Sequence, residues 1–535
     1  MKIVALLFLV TFVAFATASP RQYSYVSTET FRTPDGVHKH SAGKSGRKKP
    51  IDTVAGDQTT SEYWINKAKA FVDQKVKSSN NKKKAKNIVL FLGDGMSNPT
   101  VAATRVYMGG EEKQLEFEKF PNTASSKTYC VDYQVGDAAC TATAFLHGVK
   151  ANKMTIGVSS AAQPLNCRDS SDLRKHTQSI AAWAQRAGMA TGIVTNTRVT
   201  HATPASVYGH ATSRDWETDS AVKQSGCNAN SVDDIAEQLV NGQVGKNLNV
   251  ILGGGSRAFL DRSLSEHGAS GSRSDGKNLI AQWKSMDTRR VYVNNTNDLL
   301  NLPPSTKQLL GLFSSSHFGY NLDIKRDGLQ GFMPTLTQMT LKAIDILSKD
   351  KQGFFLLVEG GLIDMGHHET RAKYAIDEAA EFSKAIAAAL TKLDLEETLV
   401  VTTSDHGHTL SISGYAPRGY DIFGYQTGIF GPASDNLPYM TLSYANGMGF
   451  YDHTSVKGGR VDPSTFDRSP NDFRFPATVP LSSETHGGED VGIWAAGPWS
   501  HLIRGTMEQH VIPHIMAYAS CIGDGLTMCK TNSKF

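Results

Sequence analysis

The sequence has no hydrophobic segment at its C-terminal end, little net charge and few internal repeats. It closes on CKTNSKF, so we expect neither a lipid-anchor signal nor a C-terminal membrane anchor. The formal net charge of +4 is small for 535 residues. The basic clusters around Lys48 and Lys83 contain no interleaved aromatic residues, which argues against a nucleic-acid partner. With 40% hydrophobic residues, the chain has an ordinary globular composition and can bury a large core.

The N-terminal segment has the features of a secretory signal peptide. Lys2 precedes a short apolar core that ends in an Ala-x-Ala pattern at Ala18. This predicts a signal peptide over residues 1–18 and a secreted, extracellular protein. A membrane anchor is the alternative, which the shortness of the run disfavours. Residues 19–60 are rich in Ser, Thr, Gly and Lys and lack apolar periodicity, so we expect a disordered leader.

Six cysteines in a secreted chain predict three disulfides. Nearness in the sequence pairs Cys521 with Cys529 and Cys130 with Cys140, which leaves Cys167 for Cys227. Spacing alone does not fix the connectivity, and buried free thiols are the alternative. The tripeptide Asn-Asn-Thr that begins at Asn294 predicts a glycosylation site there, in keeping with export.

Strand and helix patterns alternate over residues 61–525, which predicts a single domain. Short continuous apolar runs, typical of strands buried on both faces, lie at 87–92, 192–195, 249–252, 354–358 and 399–403. Amphipathic helical patterns separate them. The alternation predicts an α/β fold in which helices sandwich a central, mostly parallel sheet. The glycine-rich stretch at about 408–485 predicts a surface insertion, and residues 526–535 a C-terminal tail.

Polar side chains that can bind metals follow the carboxyl ends of these runs. The candidates are Asp94, Thr203, Glu359, Asp364, His368, Asp405, His406 and, late in the chain, His486. In open α/β sheets, ligands bind at that edge, so residues far apart in the sequence are expected to converge on one cleft. Any one of these carboxylates alone would more often be a turn residue or a helix cap. Their shared position is what favours a multi-metal hydrolase.

The residue types indicate which metal each group would hold. Asp364 and His368 are four residues apart and face one way on a helix. A carboxylate and an imidazole suit zinc, and a third ligand would leave an open position for substrate or water. Two carboxylates with a threonine hydroxyl suit a harder ion such as magnesium.

Eight segments, in the same order along the chain, resemble those of animal alkaline phosphatases. They are NIVLFLGDGMS, DAACTATAFLHGVKAN, VTNTRVTHATPAS, VILGGG, FLLVEGGLIDMGHHE, TTSDHGH, SGYAPRG and ETHGGEDV. The resemblance spans nearly all of residues 60–525. It implies two zinc ions and one magnesium ion, phosphate monoesters or inorganic phosphate as ligands, and a homodimer.

The resemblance also implies a role for each residue of the site. One zinc ion would be held by Asp364, His368 and His486. The other would be held by Asp94, Asp405 and His406. Magnesium would be held by Asp94, Thr203 and Glu359. Arg214, in the segment ATSRDW, matches the arginine that clamps phosphate, because a planar guanidinium can donate to two phosphate oxygens.

The chain departs from the family pattern at Ala138. Family members have a serine there, which attacks phosphorus and becomes phosphorylated, whereas alanine has no oxygen. Thr141 would lie one helical turn away, roughly 5 Å between Cβ atoms, which is too far for a replacement nucleophile. Zinc lowers the pKa of bound water to about 7, so zinc-bound hydroxide is a residual route. Leu362 and Met365 are smaller departures that make the surroundings of the site less polar.

Three hypotheses follow from this substitution. The chain is a secreted phosphatase-like metalloprotein whose hydrolysis is slowed or abolished. Alternatively, it is a phosphate-binding pseudoenzyme or scaffold. In the third hypothesis it is a fully active alkaline phosphatase, and Ala138 is an artefact of the recorded sequence.

Overall fold

The computed structural model describes residue 58, residues 60–427 and residues 433–529. The signal peptide at 1–18, nearly all of the leader at 19–60 and the last six residues of the tail lie outside the described residues.

The strands, numbered in chain order, are β1 (Asn87–Gly93), β2 (Asn122–Lys127), β3 (Ala190–Arg198), β4 (Val250–Gly254), β5 (Ser265–Glu266), β6 (Ala269–Ser270), β7 (Arg290–Val293), β8 (Gln308–Leu312), β9 (Phe354–Gly360), β10 (Thr398–Thr403), β11 (Gly407–His408), β12 (Ser411–Ile412), β13 (Tyr425–Gln426), β14 (Tyr439–Met440), β15 (Leu442–Gly447), β16 (Ala477–Pro480), β17 (His486–Gly487), β18 (Val491–Ala496) and β19 (Gly505–Glu508).

The α-helices are α1 (Ser61–Lys77), α2 (Asn98–Gly109), α3 (Ala138–His147), α4 (Cys167–Ser170), α5 (Ile180–Arg186), α6 (Ala202–Ala205), α7 (Asp219–Gln224), α8 (Ile235–Asn241), α9 (Leu279–Ser285), α10 (Thr296–Leu300), α11 (Asn321–Arg326), α12 (Leu336–Leu347), α13 (Leu362–His368), α14 (Ala372–Leu390), α15 (Gly449–His453) and α16 (Val511–Ser520).

A ten-stranded sheet forms the centre of the molecule, in the order β19-β2-β18-β10-β1-β9-β3-β4-β8-β7. Only β18 runs antiparallel to its neighbours in this sheet, so the sheet is mostly parallel, as predicted. The strands β10, β1, β9 and β3 lie side by side and end at the same edge. The residues that follow these four strands are far apart in the sequence, and they therefore lie together at that edge.

Helices cover both faces of this sheet. Along β1, Ile88 and Leu90 point into one hydrophobic cluster, with α3, α5, α8, α9 and α16. Val89 and Phe91 point into a second cluster, with α2, α12, α13 and α14. Both faces of a central strand are therefore buried, which explains why the predicted strands are continuous apolar runs rather than alternating ones. The predicted α/β sandwich is confirmed.

The stretch at 408–485 is more regular than its composition suggests. It contains the sheet β12-β15-β16 and the hairpin-like pair β13-β14, and β11 pairs with β17 just beyond its end. A separate hydrophobic cluster, with Leu442, Tyr444 and Phe475 at its centre, packs these strands against α2 and α14. Its role as an insertion stays a prediction.

Helix α1 lies on the surface, and none of its residues is buried. Its exposed side chains include Trp64, Ile65, Phe71, Val72 and Val76. Among the described residues, no helix combines the length and the apolarity that crossing a bilayer requires.

Candidate metal centre

Helix α3 begins at Ala138, which lines a cavity of about 380 Å³. Asp137 is its N-cap, and the Asp137 carboxylate accepts a hydrogen bond from Cys140 N (3.2 Å). Ala138 is only 2% exposed. The residues that line the cavity are Asp137, Ala138, Lys153, Met154, His201, Arg214, Asp215, Asp364, Met365, His368, His406 and His486. The structure thus places the alanine in the same cavity as four of the eight predicted ligands, Asp364, His368, His406 and His486.

The predicted ligands Asp364, His368 and His486 converge on one point of this cavity. His368 Nε2 lies 3.4 Å from Asp364 Oδ2, and His486 Nε2 lies 3.3 Å from Asp364 Oδ1. The two Nε2 atoms are 3.1 Å apart. His368 Nδ1 donates to Glu484 O (2.6 Å) and His486 Nδ1 to Gly136 O (2.8 Å). Because the Nδ1 atoms are held in this way, both Nε2 atoms are free to bind a metal ion.

A second group, fully buried, consists of Asp94, Asp405 and His406. His406 Nε2 lies 3.1 Å from Asp405 Oδ2 and 3.6 Å from Asp94 Oδ1. Burial, together with the neighbouring His486 ring, holds the pKa of His406 well below its usual value. The imidazole is therefore neutral, which is the form that binds metals.

Glu359 and Thr203 lie next to Asp94, on the side of the sheet edge where β3 and β9 end. Glu359 Oε2 accepts hydrogen bonds from the hydroxyls of Thr195 and Thr197. Burial raises the pKa of Glu359 to about 7, although the hydroxyls of Thr195 and Thr197 oppose this shift. A cation beside Glu359 would reverse the effect of burial and keep the carboxylate charged.

Six buried polar atoms in these last two groups have no hydrogen-bond partner among the residues that the structure describes. They are Asp94 Oδ1 and Oδ2, Thr203 Oγ1, Glu359 Oε1, Asp405 Oδ2 and His406 Nε2. A buried polar group without a partner is costly, and carboxylates are the most costly of all. Oxygen and imidazole nitrogen donors of this kind fit divalent cations. The residues present therefore fit the predicted metals.

Sequence reasoning missed three residues that belong to the site. His408 Nε2 lies 2.7 Å from Asp364 Oδ1, and its Nδ1 lies 2.5 Å from Glu484 Oε2. Burial would lower the pKa of His408, but the charges of Glu484 and Asp364 outweigh it and raise the pKa to about 10. A ligand atom of His201 lies within 4.8 Å of Asp94 and Glu359. All three lie inside the segments that resemble the family, so membership of these segments was the signal available.

Arg214 also lines the cavity. Its Nη1 donates to Asp137 Oδ2 (3.1 Å), and its Nη2 lies 2.8 Å from His201 Nε2. These contacts fix the guanidinium beside Ala138, where it can donate to an anion. Met365 also lines the cavity, while Leu362 is buried in the core.

The predicted disulfide residues are paired in the structure. The bonds join Cys130 to Cys140, Cys167 to Cys227 and Cys521 to Cys529. The first holds the segment before α3 against its first turn. At the candidate glycosylation site, the half-buried Asn294 donates from Nδ2 to Glu266 Oε1 (3.0 Å), so glycosylation stays a prediction.

Comparison with known proteins identifies relatives of this chain. The family model "Alkaline phosphatase" matches residues 85–522. The chain is 42% identical to the membrane-bound alkaline phosphatase of Bombyx mori over 494 residues, which cover 89% of this chain and 88% of that one. It is 43% identical to the alkaline phosphatase of Gadus morhua over 484 residues, 86% of this chain and 97% of that one.

Solved structures share the fold. The alkaline phosphatase of the Antarctic bacterium TAB5 superposes with a TM-score of 0.55 at 23% identity, over 83% of this chain and 100% of that one. The Thermus thermophilus alkaline phosphatase gives a TM-score of 0.58 at 21% identity, over 82% of this chain and 92% of that one. With a family model that matches most of its length and relatives above 40% identity, the chain belongs to the alkaline phosphatase family.

Proposed function

We infer that this protein binds phosphate and phosphate monoesters in the cavity at the start of α3, and that it hydrolyses them slowly or not at all. One observation carries the inference. Ala138 occupies the first residue of α3, faces the candidate ligands across the cavity and has no atom that can attack phosphorus. The remaining parts of a phosphate site, Arg214 and the three ligand groups, are all present.

Alkaline phosphatases depend on metals, and the donor groups suit two zinc ions and one magnesium ion. Asp364, His368 and His486 would hold one zinc ion, and Asp94, Asp405 and His406 the other. Magnesium would lie among Asp94, Thr203 and Glu359. When bound, these ions would neutralise the charge of the phosphate and make nearby water more acidic.

Among the described residues that line the cavity, none has a hydroxyl group that could replace the missing nucleophile. The Thr141 hydroxyl donates to Asp137 O (2.8 Å) within the helix, and the residue is 1% exposed. Its side chain does not line the cavity. A water molecule would therefore attack the phosphorus directly, with Arg214 holding two of the phosphate oxygens.

The alternative hypotheses differ in turnover. A pseudoenzyme binds phosphate tightly and has no turnover above that of the metal ions alone. A fully active enzyme requires that Ala138 be an artefact, which re-reading the transcript at that codon decides.

Two further features concern assembly and location. The exposed apolar side chains of α1 favour the homodimer that the family resemblance implies, because a second subunit would cover them. Three disulfides favour an oxidising, extracellular location, in keeping with the predicted signal peptide.

Calorimetric titration of the full-length protein with inorganic phosphate tests the proposal. With zinc and magnesium present, we expect one phosphate per chain, and after chelation we expect none. Absence of binding to the metal-loaded protein would contradict the proposal. If turnover is measurable, a single attack by water must invert a chirally labelled phosphate. Retention of configuration would instead indicate a covalent intermediate.

A further inference from the structure

A second cationic side chain, Lys153, lines the same cavity as Arg214 and Ala138. We propose that Lys153 forms a subsite for a negative charge on the organic part of a phosphate monoester. The cavity then prefers esters whose alcohol portion is anionic, such as a carboxylate, over neutral or cationic ones. This inference rests on the proposed function, since it requires that the phosphate itself bind beside Arg214.

The backbone at Lys153 belongs to the framework that holds the phosphate clamp. Arg214 N donates to Met154 O (2.8 Å), and Met154 N donates to Asp137 Oδ1 (3.1 Å). Asp137 in turn pairs with the Arg214 guanidinium. Lys153 N donates to Asp132 Oδ1 (2.8 Å). The position of the Lys153 Cα relative to the clamp is therefore fixed on both sides.

The charge of Lys153 is left available to a ligand. Its side chain is partly exposed, and its Nζ lies 4.9 Å from the centre of the Tyr133 ring. Within the described part of the chain, no carboxylate forms an ion pair with it. Lys150, three residues earlier, makes an instructive contrast, because its ammonium pairs with Glu508 at 3.1 Å. An aromatic face attracts a cation but supplies no anionic partner to it.

The remaining charges at the cavity leave this role to Lys153. Arg214 is committed to Asp137 and to the phosphate position. Asp215 also lines the cavity, but it is exposed to solvent and directly follows Arg214 in the sequence. Lysine carries a compact charge on a flexible stem and can follow anionic groups of different length, whereas the arginine fork fixes a single geometry.

Affinities for three phosphate esters of similar size test the proposal. The probes are 2-phosphoglycolate, glycerol phosphate and phosphocholine, whose organic parts are anionic, neutral and cationic. Titration calorimetry on the full-length protein with zinc and magnesium measures each dissociation constant. In the parent protein we expect phosphoglycolate to bind most tightly and phosphocholine most weakly.

The decisive quantity is the ratio of the phosphoglycolate and glycerol phosphate affinities. Lys153→Met should reduce this ratio roughly threefold to tenfold, the range for a partly exposed charge pair. Lys153→Glu should reverse the preference for phosphoglycolate over glycerol phosphate. High salt should reduce this preference in the parent protein but have little effect on the ratio in Lys153→Met. Lys113→Met removes an equal charge from an exposed residue outside the cavity and should leave the ratio unchanged.

Two results would overturn the proposal, and each contradicts a different part of it. If all three esters bind and Lys153→Met leaves the ratio unaltered, the subsite is wrong and the phosphate site stands. If neither inorganic phosphate nor any ester binds to the metal-loaded parent, the proposed function fails and the subsite fails with it.

Discussion

Replacing Ala138 with serine would add one oxygen atom at the first residue of α3, inside the cavity. The Asp137 cap and the disulfide between Cys130 and Cys140 fix the backbone at this residue. The new Oγ would therefore be attached to a backbone whose position is already set. Serine is a slightly weaker helix former than alanine, by about 0.5 kcal/mol, and this cost is least at a helix start. We therefore expect Ala138→Ser to fold normally.

The gain in rate should be very large. Removing the nucleophile from an enzyme of another class lowers kcat by on the order of 10⁶, and the reverse change should restore a comparable factor here. At 1.36 kcal/mol for each factor of ten, that is about 8 kcal/mol of activation free energy. The prediction depends on the rest of the site being intact, as the unpartnered oxygens of Asp94, Glu359 and Asp405 indicate.

Steady-state hydrolysis of p-nitrophenyl phosphate by the parent and the variant, both with zinc and magnesium, measures this gain. Ala139→Ser is the matched control, because it adds the same atom to the next residue, which is fully buried and lies outside the cavity. It should gain no activity and lose about 1 kcal/mol of stability. Equal, high activity in the parent and Ala138→Ser would refute the reasoning, since Ala138 would not be the decisive position.

Three other changes test separate parts of the site and the fold. Arg214→Lys should weaken phosphate binding by roughly tenfold to a hundredfold in calorimetry, because lysine cannot make both hydrogen bonds. Glu359→Gln should remove the magnesium ion and leave both zinc ions, as measured by elemental analysis after dialysis. Burial lowers the pKa of His147 from 6.5 to about 4, so its neutral form stabilises the fold above pH 6.5 and that stabilisation is lost as the pH falls towards 4. His147→Gln should flatten the decline by up to about 1.4 kcal/mol per pH unit in denaturant unfolding.

Matched controls separate these effects from general damage. Arg174→Lys, at an exposed ion pair, should leave phosphate binding unchanged. Glu378→Gln changes a buried carboxylate outside the ligand groups and should keep all three metals. If the stability of His147→Gln falls as steeply with decreasing pH as that of the parent, His147 is not the source of the decline. If Glu359→Gln and the parent contain the same amounts of each metal, Glu359 does not hold the magnesium ion.

The strands that position the site were predictable because they are buried on both faces. The runs ending near Asp94, Glu359 and Asp405 carry enough apolar side chains to be recognised without any structure. Strand β2 was not recognised, since its sequence NTASSK has no apolar alternation. It is held by its backbone pairing with β18 and β19, which a residue pattern does not report. The two-residue strands within 408–485 were not recognised, for the same reason.

The candidate ligands were predictable from motifs, while the contacts behind them were not. Asp364 and His368 share a helix, and a four-residue spacing anticipates their meeting. The contact of His408 with both Asp364 and Glu484 joins three segments, and only the folded chain brings them together. Lys153 gave no signal at all. Its relevance follows from two backbone hydrogen bonds that tie its segment to Arg214 and Asp137.

The order of strands across the central sheet also sets when the site can form during synthesis. Strand β1 ends at Gly93, yet its two neighbours β9 and β10 begin only at Phe354 and Thr398. A growing chain must therefore carry an unpaired, largely apolar strand until most of the protein has been made, which slows folding and invites aggregation. His486 emerges later still, so the candidate zinc position that it would share with Asp364 cannot be complete on any shorter nascent chain. We expect metal loading to follow release from the ribosome, after the local disulfide between Cys130 and Cys140 has formed.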